Sequence, residues 1–272
     1  MTDNTLSPEV AAKEDALRGI LEACGSVLVA YSGGVDSSYL ADMAHEALGD
    51  RALLVIADSP SIPRAELAEA RALAAARGWR LDVIQTREFD LEDYRRNDGR
   101  RCYHCKATLF ASLRAHADAC GVAVVAHGEI ADDALDPTRL GALAAREQGV
   151  RAPLAEAGLT KDDIRALSRR RGLPTWDKPS FACLSSRFPK GVALSPEDLL
   201  RVERAEECLR ALGFRQYRAR HHGDLCRIEV DPADLPRMLE PGLREQLVET
   251  LRGLGYRHVT VDLAGYRTGS TA

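Results

Sequence analysis

Ser32-Gly33-Gly34-Val35-Asp36-Ser37-Ser38 stands between the apolar run Ser26 to Tyr31 and a stretch whose apolar residues recur at helical spacing. A glycine-rich turn therefore falls where a strand hands over to a helix. Two glycines let the backbone fold closely around a phosphate, the first amides of the helix point at it, and the helix dipole favours its negative charge. Ser32, Ser37 and Ser38 add hydroxyl donors, and Asp36 offers a carboxylate for Mg2+. The bland alternative is a Ser/Gly turn with no nucleotide. The stretch lacks the lysine of G-x-x-x-x-G-K-[ST] and the three-glycine spacing of the dinucleotide fingerprint, which weighs against ordinary P-loop phosphotransfer and hydride chemistry.

Outward from this junction, strand and helix alternate. Residues 8–23 read as a helix opened by Ser7-Pro8-Glu9, 52–57 (ALLVIA) as a fully buried strand, and 63–77 as an alanine-rich helix ending at Gly78. Residues 79–85 read as a third strand, 106–119 as a helix after the loop around Asn97-Asp98-Gly99, and 122–127 (VAVVAH) as another buried strand. Such alternation predicts an α/β fold, a parallel sheet with helices on both faces and ligands at the carboxyl ends of its strands. Asp58, after the second strand, and Gly128, after the strand at 122–127, then belong to the nucleotide end. In the Gly128 to Asp133 loop, Asp132 reads equally well as a metal or ribose contact and as a helix N-cap. Arg139 and the stretch from Gly149 to Leu154 read as a further substrate loop.

A second regime follows Gly172, punctuated by Pro174, Pro179, Pro189 and Pro196. We expect a nucleotide domain over 1–172, a linker over 173–194 and a small α+β domain over 195–272. The last holds a helix from Ser195-Pro196-Glu197 to about Leu212, strands near 216–221 and 226–230, a helical region over 232–254 and a strand at 258–262. No apolar stretch approaches the roughly 20 residues of a membrane span, and the first 13 residues lack the apolar centre of a signal peptide, so a cytoplasmic protein is expected. The net charge of −4 weighs against a nucleic-acid partner, which usually calls for a basic excess.

Seven cysteines, an odd number, argue against a disulfide framework and for thiols available to metal or sulfur chemistry. Cys102 and Cys105 form a C-x-x-C pair just before a predicted helix, and Cys183 lies in the proline-rich segment. Such a pair holds a metal centre or forms a redox disulfide, and spacing alone does not choose. Zinc would want a fourth ligand, for which His104 or His127 is at hand, whereas three thiolates suit a [4Fe-4S] cluster with one open iron able to carry hydrosulfide. A passive buried pair is the plain alternative. Cys24, Cys120, Cys208 and Cys226 read as packing residues.

The glycine-rich turn resembles the PP-loop of ATP pyrophosphatases, which implies cleavage of ATP between its α and β phosphates. With SGGVDSS at 32–38, RCYHCK at 101–106, ACLSSRFPKG at 182–191 and DLAGYRTGS at 262–270, the chain resembles the LarE family of ATP-dependent sulfur transferases over nearly its whole length. The resemblance implies adenylylation of the carboxylates of pyridinium-3,5-biscarboxylic acid mononucleotide and their conversion to thiocarboxylates in nickel-pincer nucleotide biosynthesis. It implies a sulfur donor, a small nucleotide substrate and a homo-oligomer. Some members give up the sulfur of the cysteine at the Cys183 position and leave dehydroalanine; others carry two extra cysteines and are thought to hold a [4Fe-4S] cluster. Cys102 and Cys105 beside Cys183 match the second branch.

An anionic substrate calls for cationic clamps. Arg218 and Arg220, two apart on a predicted strand, share a face, Arg187 is placed to lower the Cys183 thiolate pKa or to bind substrate, and the resemblance adds Ser186 and Arg267. It also touches Glu206 and Glu229, which the sequence favours as ordinary exposed carboxylates. The rivals are a [4Fe-4S]-dependent tRNA thiolase, for which the charge is unsuited, a non-catalytic metal or redox sensor that binds ATP, and an amidotransferase-type synthetase, which has no use for three clustered thiols.

Overall fold

The structure, a computed structural model, describes residues 7–134, 140–179 and 182–267. The chain divides into two compact units: 1–59, 64–91 and 102–181 form the first, and 60–63, 92–101 and 182–272 the second.

The first unit opens with helix α1 (Pro8–Ala23), whose Ser7 side chain accepts from the Val10 amide at 3.3 Å while Pro8 fills the first helical position. Then follow β1 (Val27–Ala30), α2 (Val35–Leu48), β2 (Ala52–Asp58), α3 (Arg64–Arg77) and β3 (Leu81–Gln85). The short α4 (Glu92–Arg95) falls in the second unit. Next come α5 (Arg101–Ala119), β4 (Val124–His127), α6 (Ala131–Ala134), α7 (Leu140–Glu147), α8 (Pro153–Glu156) and α9 (Lys161–Arg170).

Four strands make a parallel sheet in the order β3-β2-β1-β4, flanked by helices, as the alternating sequence predicts. The apolar runs of β1 and β2 are buried at nearly every position because helices cover both faces. Leu28, Leu53 and Val55 meet Phe110, Leu113 and Ala117 of α5 in one buried cluster. The strand order reverses between β1 and β4, where Ala30 pairs with His127, so the carboxyl ends of those two strands frame the crevice in which such sheets bind ligands.

In the first unit three boundaries differ from the sequence reading by two residues or more. β3 begins at Leu81 and β4 at Val124, two residues late in each case. Gly78 (φ 68°) and Gly121 (φ 68°) end the preceding helices, and the amides of Trp79 and Val122 bond back to the carbonyls of Ala74 and Ala117 at 2.9 and 2.8 Å. That is the Schellman closure, which consumes the first apolar residue after the glycine. Helix α5 begins at Arg101, five residues before the predicted start, after an Asx turn in which Asp98 accepts from the Arg100 amide at 2.7 Å. Cys102 and Cys105 consequently lie inside its first turns.

The second unit holds α10 (Pro196–Ala211), β5 (Tyr217–His222), β6 (Leu225–Val230), α11 (Leu235–Met238), α12 (Pro241–Gly253) and β7 (His258–Val261). Its sheet has the order β5-β6-β7, antiparallel then parallel, with α10 packed on β5. The Ser195 side chain accepts from the Asp198 amide at 3.1 Å and starts α10. The helical region predicted over 232–254 is interrupted before Pro241, which removes a backbone donor and restricts the residue before it. Among the described residues no helix is long and apolar enough to cross a membrane.

Candidate functional site

In the first unit, Gly34 is the N-cap of α2 and supplies no side-chain hydrogen bond, so the helix's leading amides are left to an outside acceptor. The first intrahelical bond runs from the Ser38 amide to the Gly34 carbonyl at 2.9 Å. Gly33 sits at φ 72°, and a Cβ there would lie 2.7 Å from the Cβ of Ala70 on α3. Ser37 closes the turn: its Oγ lies 2.9 Å from Ser32 Oγ and accepts from the Ser32 amide at 3.2 Å. Ser38 is fully buried. Gly128, just past β4, faces the same turn, and a Cβ there would lie 3.0 Å from Ser37 N and 3.3 Å from the Asp36 carbonyl carbon. Gly128 thus keeps free the space over the first turn of α2 while Gly33 lets the turn pack against α3, an arrangement suited to an oxyanion such as a phosphate.

Asp36 is held by a cation of the protein itself. Lys161, the first residue of α9, places Nζ 2.7 Å from both Asp36 carboxylate oxygens. The Lys161 amide donates to Asp132 Oδ2 at 2.8 Å, so Asp132 caps α9 rather than the short helix in which it lies. Sequence reasoning missed both α9 and Lys161; the signal was the Thr160 to Asp163 capping box, whose two reciprocal bonds are present. Asp58 at the end of β2 pairs with Arg64, which also donates to the Ser59 carbonyl at 2.6 Å. Cys102 is exposed and Cys105 half-buried; three positions apart on α5, they share a helix face. His127 ends β4 with its ring 5.4 Å from that of Phe110; burial, helped by the Lys106 charge, pushes its pKa down to about 4. In the predicted substrate loop Arg151 pairs with Glu156, while Arg139 lies outside the described residues.

In the second unit, Cys183 precedes a single 3-10 turn, Leu184–Arg187, and is half-buried. That turn is pinned from several directions. The Leu184 amide donates to the Ser61 carbonyl at 2.8 Å, Ser185 Oγ lies 2.7 Å from Tyr94 Oη, and Arg101 Nη1 donates to the Ser185 carbonyl at 2.7 Å. Arg187 is wholly buried. Its Nε and Nη2 grip Glu206 at 2.8 and 2.9 Å, while Nη1 donates to the carbonyls of Ala182 (2.7 Å) and Cys183 (3.2 Å) and to Ser186 Oγ (2.9 Å). Burial pulls this guanidinium down, but the Glu206 charge outweighs it and holds the group above its ordinary value.

Arg218 and Arg220 share a face of β5, and both are buried. Arg220 grips Glu229 through Nε (2.9 Å) and Nη2 (2.7 Å) and reaches the Ser186 carbonyl through Nη1 at 2.9 Å. Arg218 lies 4.8 Å over the Tyr266 ring, and burial, then the Arg187 charge, push its guanidinium below its ordinary value. A desolvated cation beside another cation is stabilised by an arriving anion. Glu206 and Glu229 are almost fully buried, contrary to their reading as exposed carboxylates, because each neutralises one of these arginines. Gly265 (φ 67°) lets the chain pass within van der Waals range of the Val230 carbonyl and so brings Tyr266 over Arg218; Arg267, next to it, is exposed.

No family model matches the chain. Among curated proteins, it is 34% identical over 261 residues, 96% of this chain and 94% of the relative, to the pyridinium-3,5-bisthiocarboxylic acid mononucleotide synthase of Lactiplantibacillus plantarum. The chain belongs to that synthase family. Two further relatives, each an uncharacterised protein, come from Synechocystis sp. (41% identity, 95% of this chain and 96% of the relative) and Methanocaldococcus jannaschii (28%, 89% and 91%). Membership in the LarE family makes this protein an enzyme of sulfur-transferring type.

Proposed function

We propose that the protein is an ATP-dependent sulfur transferase that converts carboxylates of pyridinium-3,5-biscarboxylic acid mononucleotide to thiocarboxylates. The observation that carries this reading is the full-length similarity to the Lactiplantibacillus plantarum synthase, in a chain whose glycine-rich turn and buried arginines suit a nucleotide triphosphate and an anionic substrate.

A carboxylate is a poor acyl donor. In the proposed chemistry a substrate carboxylate oxygen attacks the α-phosphorus of ATP, the bond to the bridging oxygen breaks, and pyrophosphate leaves. The first amides of α2, with Ser32 and Ser38, hold the phosphates; Asp36, once released by Lys161, would hold Mg2+, which would neutralise charge on the phosphates. Asp58 and Gly128 border the nucleotide. Sulfur then attacks the acyl carbon and AMP leaves. Arg218, with Arg220 and Arg267, receives the substrate's phosphate and second carboxylate, while Arg187 and Ser186 fix the Cys183 backbone.

Cys102, Cys105 and Cys183 are the ligands of the proposed [4Fe-4S] cluster. All three are thiols with solvent access, and the first two share a helix face, which fits two corners of one cluster. When bound, such a cluster supplies an open iron for sulfide; without it, Cys183 is itself the sulfur nucleophile.

The test combines ATP, Mg2+ and the biscarboxylic mononucleotide with anaerobically reconstituted protein, measuring pyrophosphate and the mass of the product. Pyrophosphate together with a thiocarboxylate is expected, and the Cys183→Ser variant should release pyrophosphate without sulfurating the substrate. Absence of pyrophosphate from the native protein would overturn the reading. Loss of the iron-sulfur absorption in the Cys102, Cys105 and Cys183 serine variants is expected for the cluster; dehydroalanine at position 183 after turnover would replace it with a sacrificial cysteine.

A further inference from the structure

Asp82, the second residue of edge strand β3, faces the end of α5, where His116 and Cys120 follow one another by one helical turn. Asp82 Oδ2 lies 2.8 Å from His116 Nε2, and Cys120 Sγ lies 3.8 Å from that same nitrogen. All three donor atoms fall within 4.8 Å of one another. The cluster sits at the start of β3, whereas the glycine-rich turn follows the end of β1, and it includes none of Cys102, Cys105 and Cys183.

A cysteine, a histidine and an aspartate invite comparison with a nucleophilic relay. Such a relay places the carboxylate on one ring nitrogen and the thiol on the other, so that the imidazole passes a proton between them. Here carboxylate and thiol converge on one nitrogen, which no relay can use. Three donors aimed at one point are what a metal ion requires. We propose that Asp82, His116 and Cys120 bind a thiophilic divalent cation, zinc above all, with water as the fourth ligand.

The donor set selects the ion: thiolate and imidazole suit Zn2+ and exclude Mg2+ and Ca2+, which want oxygen ligands. At ordinary zinc bond lengths, tetrahedral ligands lie roughly 3.4 to 3.6 Å apart. The carboxylate-imidazole pair therefore opens by about half an ångström, the thiol closes on the imidazole by a few tenths, and carboxylate and thiol, within 4.8 Å of each other, close by at most about 1.3 Å, movements open to side chains that reach solvent. Binding releases the thiol proton to water and keeps the imidazole neutral, with its proton on Nδ1; thiolate and carboxylate balance the ion's two charges. The ion ties an edge strand to the last turn of α5 and shields an exposed thiol from oxidation.

The test uses the full chain with Cys102, Cys105 and Cys183 changed to serine, so that no other candidate thiol ligand competes. Cobalt should bind at one equivalent with a thiolate-to-cobalt charge-transfer band, and zinc should displace it. Adding Cys120→Ser or His116→Ala should abolish the band and weaken zinc binding more than about 100-fold, the upper range for loss of mere outer-shell partners. Asp82→Asn, which keeps a hydrogen bond to His116 and hence the local fold, should weaken it at least about tenfold. Cobalt binding without the band, or zinc affinity unmoved by Cys120→Ser, overturns the site. Should the serine host fail to fold, the native chain and its Cys120→Ser form are compared instead, and the loss of one equivalent of zinc decides.

Discussion

Lys161 Nζ lies 2.7 Å from each carboxylate oxygen of Asp36, a bidentate pair between the first turns of α9 and α2. Both side chains are partly exposed, so the pair is worth under about 1 kcal/mol to folding. Under the proposed function, its position beside the glycine-rich turn gives it a larger part in nucleotide binding. Lys161→Met is expected to raise the KM for ATP about tenfold, equivalent to about 1.4 kcal/mol, with the melting temperature nearly unchanged. Steady-state pyrophosphate release and a thermal melt check both halves.

Gly33 and Gly34 are adjacent but not equivalent. At Gly33 a methyl group meets Ala70 Cβ at 2.7 Å on a backbone of positive φ, whereas at Gly34 the φ is −80° and the nearest atom, Ser32 Oγ, is 3.5 Å away. Gly33→Ala should destabilise by about 2–4 kcal/mol, combining left-handed strain and overpacking. Gly34→Ala should cost less than about 1 kcal/mol. Chemical denaturation of the two variants in parallel reads the difference.

Glu206 neutralises Arg187 and also accepts the Ala219 amide at 3.0 Å, so its removal leaves a buried cation and a buried donor exposed to no water. Glu206→Ala should cost about 3–5 kcal/mol, and a double variant with Arg187→Met should recover part of it. Additive losses in a denaturation cycle would show that the two side chains do not act as a pair.

His127 sets a pH dependence. In the unfolded chain its imidazole takes a proton below about pH 6.5; in the folded chain burial, with the Lys106 charge, disfavours the cation and pushes this down to about 4, while the Glu129 carboxylate 3.3 Å from Nε2 works the other way. Between those values the unfolded state binds more protons, so stability rises with pH: the contribution is complete above 6.5 and lost as pH falls toward 4, at most about 3 kcal/mol. His221 and His222, also depressed by burial, add to the slope with the same sign. His127→Gln should flatten part of the fall in melting temperature between pH 6.5 and 4.5.

The sheet was legible because its central strands β1 and β2 are buried on both faces, which leaves continuous apolar runs such as Ala52–Ala57 bounded by turn residues. The glycine-rich turn was legible because strand, turn and helix are contiguous. The first residues of β3 and β4 were misplaced because an apolar residue that closes a Schellman turn looks like one that starts a strand. What escaped was pairing at a distance. Lys161 and Asp36 are 125 residues apart, and nothing local in either stretch names the other. The burial of Glu206 and Glu229 likewise follows from arginines that only the fold brings within reach.

The guanidinium of Arg187 grips the main-chain oxygens on either side of the Cα of Cys183, and the neighbouring turn is held through Ser61, Tyr94 and Arg101. None of these bonds involves the sulfur. The mount is therefore independent of the group mounted on it. Alkylation or ligation of Sγ breaks none of these bonds, and even dehydroalanine, which flattens Cα, would keep both carbonyls that Arg187 holds, so the mount suits either fate of the sulfur in the proposed chemistry.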